Sequence, residues 1–168
     1  MAAMAEGMGS KISVKWIKDP SPVWDAVKLY MVDDNNYLNY SGQFAGVFYN
    51  EKMAGAFKVR KLNEYCYEIH GGVHPDFWGN GPKICESLGC ALFSQTPCLK
   101  IIAIIPEFNK LMRKCVQSIG MKQEGVIKKS YLKRMRLHDQ YLYGISKSDE
   151  AARRSLSCQT QAMILTNR

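Results

Sequence analysis

The first part of the chain alternates apolar and polar residues in the way that is typical of strands. Lys11 to Ile17 (KISVKWI) follows this alternation and is predicted to be a strand. Asp19–Ser21 is predicted to begin a helix, which we expect to continue through Met31. The polar run at residues 33–36 ends that helix, and residues 36–42 form a polar loop.

Three further strands are predicted in the middle of the chain. Gln43–Tyr49, Met53–Leu62 and Tyr65–Val73 are rich in aromatic and branched residues, which suit a half-buried pleated surface. Short polar turns at residues 50–52 and 63–64 separate them. Because such short turns join neighbouring antiparallel strands, the sequence predicts three antiparallel strands in succession.

A glycine-containing segment joins the last of these strands to a helix. Gly79 and Gly81 allow a tight turn, and Pro82 suits the first turn of a helix, where its missing N–H would be unpaired anyway. Apolar residues then recur at helical spacing as far as Phe93. The N-terminus of such a helix favours anions, above all phosphate, although a Gly-x-Gly turn that only connects two elements is the alternative.

The remaining pattern predicts a buried strand, a helix and a hairpin. Leu99–Ile105 is the strand, Pro106 introduces the helix, and Gly120 lies where a left-handed cap is expected. Lys122–Lys133 and Leu137–Ser146 are predicted to pair as the hairpin. The elements together predict a mixed α/β (α+β) fold, in which helices flank a central, mostly antiparallel sheet.

The length of 168 residues suits a single domain, and a hydrophobic content of 46% indicates a soluble globular protein. We expect residues 1–10 to be a flexible lead-in, residues 11–147 the domain, and residues 148–168 a polar tail or short helix. No apolar run approaches the roughly 20 residues that span a bilayer, and no secretory signal is recognisable. The six cysteines show no CxxC pair and no metal-ligand spacing, so we expect a reducing, cytoplasmic location without metal.

The chain has 23 basic and 15 acidic residues, a formal net charge of +8. Basic residues are concentrated in the predicted hairpin, at Lys122, Lys128, Lys129, Lys133, Arg134 and Arg136. Such a face attracts nucleic acid, an acidic protein or a polyphosphate cofactor, and a merely solvated surface is the alternative. No zinc finger, RNA-recognition signature or heptad array accompanies it, which gives direct reading of nucleic acid little support.

Two adjacent glycines, Gly71 and Gly72, lie inside the strand that ends at Val73. Glycine weakens a strand interior, so such a pair marks a bulge or a close approach by another backbone or a ligand. If a bulge separates this strand from Leu99–Ile105, an extended ligand that carries amides is expected to pair with the exposed backbone groups. An accidental kink at a sheet edge is the alternative.

The order of the elements and three short motifs resemble the GNAT superfamily of N-acetyltransferases. The motifs are Val73–Gly81 (VHPDFWGNG), Asn109–Met112 (NKLM) and Ser118–Gly125 (SIGMKQEG). The interval from Asn109 to Gly120 matches the family's usual interval between an asparagine and a Gly-Phe pair. The resemblance covers residues 11–146 and is closest to the branch that acetylates ribosomal-protein N-termini and small amines.

The resemblance implies that the protein binds acetyl-CoA, whose acetyl group a primary amine takes by direct attack. The pantetheine arm would lie between the two splayed strands, along Glu68–Val73 and Ile101–Ile105. The backbone around Val73 would hold the thioester carbonyl, and the N–H groups from Trp78 to Lys83 would receive the pyrophosphate. The implied cofactor-binding residues are Val73, Trp78, Gly79, Asn80, Gly81, Pro82, Lys83 and Asn109.

The resemblance also implies a base that takes the proton of the amine. Glu68 is the candidate, because it lies five residues before Val73, where some family members carry their glutamate. An ion pair with a lysine on the next strand is its alternative role. His70 and His74 are further candidates, directly or through water, with surface or turn roles as alternatives; no third ligand makes them a metal pair.

Three positions depart from the family pattern. Asp76 stands where the family usually has arginine or glutamine, and a carboxylate is unfavourable near a diphosphate. Lys83 replaces a small residue, and it either binds phosphate or fills the space that the small residue leaves. Val116 replaces the tyrosine that protonates the departing thiolate. Possible substitutes for that tyrosine, each with an ordinary core or sheet role as the alternative, are Cys115, Tyr131, Tyr141 and Tyr143.

These departures leave a second function open. A fold whose catalysis has lapsed would keep its scaffold and lose such positions, and the chain is also similar to small GNAT-like proteins of tailed bacteriophages. Some of those are labelled head-assembly or virion proteins, and the basic face would then bind a virion protein or nucleic acid. The glycine segment and the Gly71-Gly72 pair favour the enzyme, because both are hard to explain without a ligand.

Overall fold

The computed structural model of the protein describes residues 11–28, 42–151 and 153–154. Its elements, in chain order, are β1 (Ile12–Ile17), α1 (Ser21–Lys28), β2 (Gln43–Tyr49), β3 (Lys52–Lys61), β4 (Cys66–Val73), a 3₁₀ helix (Pro75–Asn80), α2 (Gly81–Gln95), β5 (Lys100–Pro106), α3 (Lys110–Ser118), β6 (Lys122–Lys133) and β7 (Arg136–Ser146). Residues 147–151 and 153–154 are also helical. The expected lead-in, the end of the first helix, the loop at 33–36 and most of the tail lie outside the described residues.

The strands form one seven-stranded sheet in the order β1-β2-β3-β4-β5-β7-β6. Every neighbouring pair is antiparallel except β4 and β5, which run parallel with α2 as their crossover. The mixed α/β fold with a mostly antiparallel sheet and flanking helices is therefore confirmed, and the strands match the predicted ranges within two residues at each end.

Helices cover both faces of the sheet. On one face α2 packs its buried Ile84, Leu88 and Leu92 against apolar residues of the strands. On the other face Val23 and Trp24 of α1 pack against β2 and β3, and the indole N–H of Trp24 donates to the carbonyl of Ala56 at 2.9 Å. The central strands are therefore held from both sides, which fixes the position of β4.

Two local expectations about glycine differ from the structure. Gly79 lies in a 3₁₀ helix that leads directly into α2, Gly81 is the first residue of α2, and neither glycine has a positive φ. No bulge interrupts β3 and β4 either, because their register runs unbroken from Lys61–Tyr67 to Gly55–Val73. The expected left-handed cap at Gly120 is confirmed, with φ of 94°.

Candidate active site

The parallel ladder between β4 and β5 is short. Three residue pairs form it, and the last of them joins Glu68 to Ile102. Beyond that pair β4 continues beside β3 as far as Val73, and β5 continues beside β7 as far as Pro106. The two central strands therefore separate at their carboxyl ends, as the sequence predicted, although without a bulge between β3 and β4.

Beyond Glu68, where β4 is no longer paired with β5, successive peptide groups of β4 point alternately toward β3 and toward β5. The amide of His74 donates to the carbonyl of Ala54 at 2.8 Å, which continues the β3–β4 ladder by one residue. In an antiparallel pair every second residue bonds to the partner strand and the residues between them point away. Counting back from His74, the peptide groups of Ile69, Gly71 and Val73 therefore face β5.

Gly71 is required by close packing of two backbones. A Cβ atom added there would lie 2.3 Å from the carbonyl oxygen of Ala56 and 2.6 Å from the Cα atom of Phe57. At Gly72 the nearest atom would be a methyl carbon of Val27, at 3.3 Å. Gly71 is also exposed, whereas Gly72 and Val73 are buried. Of the two explanations expected for the pair, a close approach by another backbone is confirmed for Gly71.

Gly79 and Gly81 have no comparable reason to be glycine. No atom of the described residues lies within 4 Å of a Cβ built on Gly79, and the nearest of them to a Cβ on Gly81 is the sulfur of Cys115 at 3.6 Å, an ordinary contact. Gly81 has right-handed helical angles, φ −48° and ψ −52°. Neither backbone strain nor crowding demands glycine, so the bare surface at Gly79 gives room for an approaching group.

The N-terminus of α2 is suited to an anion. The Asn80 side chain makes no capping hydrogen bond, and the first turn contains no acidic residue. Two of the expected donors are nevertheless excluded. The amide of Gly81 donates to the carbonyl of Trp78, and Pro82 has no N–H. The set of amide donors between Trp78 and Lys83 is therefore smaller than the sequence predicted.

The side chains beside this turn are held by local contacts. The Trp78 indole N–H donates to the carbonyl of Val73 at 2.9 Å, which ties the 3₁₀ helix to the end of β4. The Lys83 ammonium lies 5.9 Å from the centre of the Tyr49 ring. Lys83 is exposed and lies near the start of α2.

Asp76 and His74 form a small cap for the 3₁₀ helix. The His74 Nδ1 accepts a hydrogen bond from the Asp76 amide at 3.2 Å, and the carboxylate of Asp76 lies 3.7 Å from the same nitrogen. The Asp76 side chain is highly exposed. His74 therefore has the turn role that was its alternative, while Asp76 places negative charge beside the candidate anion site.

Glu68 is paired with an arginine of β3. Arg60 lies directly opposite Glu68 in the ladder, and its Nε donates to Glu68 Oε2 at 2.5 Å, with a second contact from a terminal guanidinium nitrogen. The carboxylate is mostly buried, whereas Arg60 is exposed. The ion pair expected as the alternative role is thus present, with arginine in place of lysine.

His70 lies on the same face of β4 as Glu68. Its ring meets that of Trp24 edge to face, with centroids 6.3 Å apart. Burial lowers the pKa of His70, an effect that Glu68 opposes and Lys58 reinforces. A neutral imidazole is able to accept a proton near neutral pH. The structure therefore brings two proton acceptors together beside the end of the β4–β5 ladder.

The α3 residues have mainly structural roles. Asn109 caps the helix, because its Oδ1 accepts from the Met112 amide at 3.1 Å. Val116 is buried in the core. The Tyr143 hydroxyl, which is fully buried, accepts from Arg113 at 3.0 Å, and the Arg113 guanidinium lies 3.9 Å above the Tyr141 ring.

Tyr131, another possible substitute for the tyrosine, is buried against Phe108, with ring centroids 5.4 Å apart. The core or sheet roles given as alternatives are therefore observed for the three tyrosines. Cys115 differs from them, because it lies on α3 in contact with α2. The sequence did not identify its neighbour Cys85 as a residue of interest, nor Arg60 and Arg113.

The described residues contain no group of three or more histidine, cysteine or acidic side chains that could hold a metal ion. No helix within the described ranges has the length and apolar character needed to cross a bilayer.

No protein-family model matches the chain, and no curated protein matches its sequence. Solved structures do match. A GNAT-family acetyltransferase from Bacillus anthracis is 23% identical, with a TM-score of 0.56, over 62% of this chain and 66% of its own. A spermidine N-acetyltransferase chimera of Vibrio cholerae SpeG and hSSAT is 13% identical, with a TM-score of 0.69, over 83% and 98%.

RimL, the ribosomal L7/L12 α-N-protein acetyltransferase solved in complex with coenzyme A, is 16% identical, with a TM-score of 0.54, over 62% of this chain and 61% of its own. The chain thus spans just under two thirds of the B. anthracis protein and of RimL. These likenesses show that the chain has the fold of the GNAT acetyltransferases. They do not test the phage-protein alternative, which stays a prediction.

Proposed function

We propose that the protein is an acetyl-CoA-dependent N-acetyltransferase that acts on a primary amine. The observation that carries the proposal is the early end of the β4–β5 ladder, with the peptide groups of Ile69, Gly71 and Val73 directed toward the gap. An extended molecule with amide groups pairs with such an edge as an added strand does. The pantetheine arm of coenzyme A is a molecule of this kind, and RimL was solved with coenzyme A bound.

The residues beyond β4 fit the other end of the cofactor. The uncapped N-terminus of α2 provides the positive end of a helix dipole, Lys83 provides a charge, and Gly79 leaves open space for a diphosphate. Asp76 opposes this fit, because its exposed carboxylate repels phosphate. We infer that the site binds the cofactor with an affinity that Asp76 weakens.

Acetyl-CoA would supply an acetyl thioester, and groups of the protein would polarise its carbonyl and accept the proton of the amine. The amide of Val73 would polarise the thioester carbonyl, because it points into the gap at the end of β4. Glu68, or the neutral His70 beside it, would take the proton of the attacking amine. Arg60 would keep the Glu68 carboxylate oriented. With Val116 in the core, α3 supplies no tyrosine for the departing thiolate.

The acceptor is a primary amine of a protein N-terminus, a lysine or a small molecule. The matched structures act on both kinds, since SpeG is named for spermidine and RimL for a protein N-terminus.

A thermal-shift titration tests the proposal. Acetyl-CoA at a hundredfold over its dissociation constant should stabilise the protein by about 2.7 kcal/mol, which raises Tm by about 5–10 °C in a domain of this size. An unchanged Tm at millimolar acetyl-CoA would contradict the proposed acetyltransferase activity and favour the role of a non-catalytic assembly protein. Adenosine diphosphate, which carries a diphosphate but no pantetheine arm, serves as the control for binding through phosphate alone.

The variant Glu68→Gln separates catalysis from binding. Loss of a general base should lower kcat about 100-fold or more, while the Tm shift with acetyl-CoA stays close to that of the wild type. His70→Gln is the matched variant, because it removes the other acceptor from the same face. Turnover unchanged in Glu68→Gln and lost in His70→Gln would transfer the role of base to His70.

A further inference from the structure

Two cysteines that lie outside the proposed chemistry meet where α2 packs on α3. Cys85 is in the second turn of α2 and Cys115 is near the middle of α3, and their sulfur atoms are 3.9 Å apart. Both side chains are half-buried. Among the cysteines that the structure describes, this pair has its two sulfurs in contact.

We propose that Cys85 and Cys115 are a reversible redox pair that closes to an intramolecular disulfide. The sulfur–sulfur distance of a disulfide is about 2.0 Å, so the thiols must approach by about 2 Å from their present separation. Side-chain rotation and a small shift of two packed helices supply a movement of this size. The proposal concerns the thiols themselves and stands whether or not α2 binds a cofactor.

The two thiols have different roles in this reaction. In contact with Cys85, the pKa of Cys115 is lowered by the hydrogen bond between the two sulfurs, and burial opposes the effect. The pKa of Cys85 is raised by the same contact and by burial. Because the thiolate is the nucleophile, Cys115 attacks first and Cys85 reacts second.

The oxidant is a small organic disulfide, such as oxidised glutathione. The Cys115 thiolate attacks one of its sulfurs, forms a mixed disulfide and releases one glutathione thiolate. Cys85 then loses its proton to water, and its thiolate attacks the Cys115 sulfur. The bond between the two cysteines forms and the second glutathione thiolate leaves, so two protein thiols are oxidised and one small disulfide is reduced.

The other described cysteines are arranged differently. Cys98 is fully buried, its sulfur donates to the Lys100 carbonyl at 3.2 Å, and burial raises its pKa. Cys90 lies on α2 like Cys85, but its sulfur contacts Glu150 and Arg154 near the end of the described chain. Cys90 is therefore a matched control on the same helix.

Non-reducing tryptic mapping of the full chain tests the proposal. After incubation with oxidised glutathione and blocking of remaining thiols, we expect the peptide Cys115–Lys122 to be linked to Ile84–Lys100, with the loss of two hydrogen masses and release by a reductant. Fragment ions should place the link at Cys85. The cross-link should persist in Cys90→Ser and disappear in Cys85→Ser and Cys115→Ser.

The variant Cys85→Ser adds a second readout. Without its partner, Cys115 should accumulate as a stable mixed disulfide with glutathione, whereas in the wild type that adduct should be converted to the cross-link. A persistent glutathione adduct on Cys115 of the wild type would overturn the proposal. So would a cross-link that survives in Cys85→Ser, or the absence of any product at Cys115.

Discussion

At the scale of single residues, the candidate site is defined by a few charges whose neighbours the structure identifies. Arg60 holds Glu68 from the adjacent strand, and burial lowers the pKa of His70 next to it. Asp76 and Lys83 have opposite charges and lie on either side of the start of α2. The proposed chemistry therefore depends on how these side chains are charged, which single substitutions can test.

Removing the charge of Asp76 should tighten the binding of acetyl-CoA. Exposed charge pairs are worth about 0.2–1 kcal/mol, so we expect Asp76→Asn to lower Kd by about 1.4- to fivefold at low salt. Isothermal titration calorimetry measures the effect. Glu64→Gln is the matched control, because it changes the net charge equally at the distant turn between β3 and β4. Equal affinities of the two variants would contradict an anion site at α2.

The half-buried His70 should make stability depend on pH. Its pKa is lower in the folded than in the unfolded chain, where the usual value is about 6.5. Its contribution to folding is therefore complete above about pH 6.5 and is lost as the pH falls through the folded-state pKa. Urea unfolding measures the free energy of unfolding between about pH 8 and about pH 5, on either side of that reference value. We expect this free energy to decline less steeply with falling pH in His70→Gln than in the wild type. An identical decline would mean that His70 is not buried in its neutral form.

At the scale of elements, the sequence predicted the bounds of the strands more accurately than the pairing of residues between them. Alternating and branched residues defined β2 and β3 almost to the residue, because that pattern is local. A two-residue turn at 63–64 would have paired Arg60 with Tyr67. The ladder instead pairs Arg60 with Glu68, because the Asn63 side chain accepts from two following amides and lengthens the turn. The partner of Glu68 could not be predicted for this reason.

The glycines of the site should differ in what a methyl group costs. Gly71→Ala places a Cβ against the backbone of β3, and overpacking of this kind should lower the free energy of unfolding by about 1–3 kcal/mol. Gly79→Ala enters open space and should change it by no more than about 0.5 kcal/mol. Urea unfolding of both variants measures the difference. A Gly71→Ala protein as stable as Gly79→Ala would show that β3 and β4 are not in close contact there.

At the scale of the whole molecule, the sequence and the fold agree on the scaffold and differ on contacts between helices. The mixed sheet, the separation of β4 from β5 and the cap at Gly120 were predicted from local pattern and from the family resemblance. The contact between Cys85 and Cys115 depends on how α2 lies against α3, and no local pattern encodes that. The role of the basic hairpin in binding a virion protein or nucleic acid stays a prediction.

Residue-resolved NMR of the protein with and without acetyl-CoA tests the central proposition, that the gap beside β4 receives an extended ligand. The account predicts slower hydrogen exchange and large shift changes for the amides of Gly71 and Val73, which face β5. The amide of His70, whose ladder partner is Lys58 on β3, is the internal control and should exchange as before. Unchanged exchange and shifts at Gly71 and Val73 under saturating acetyl-CoA would contradict the account.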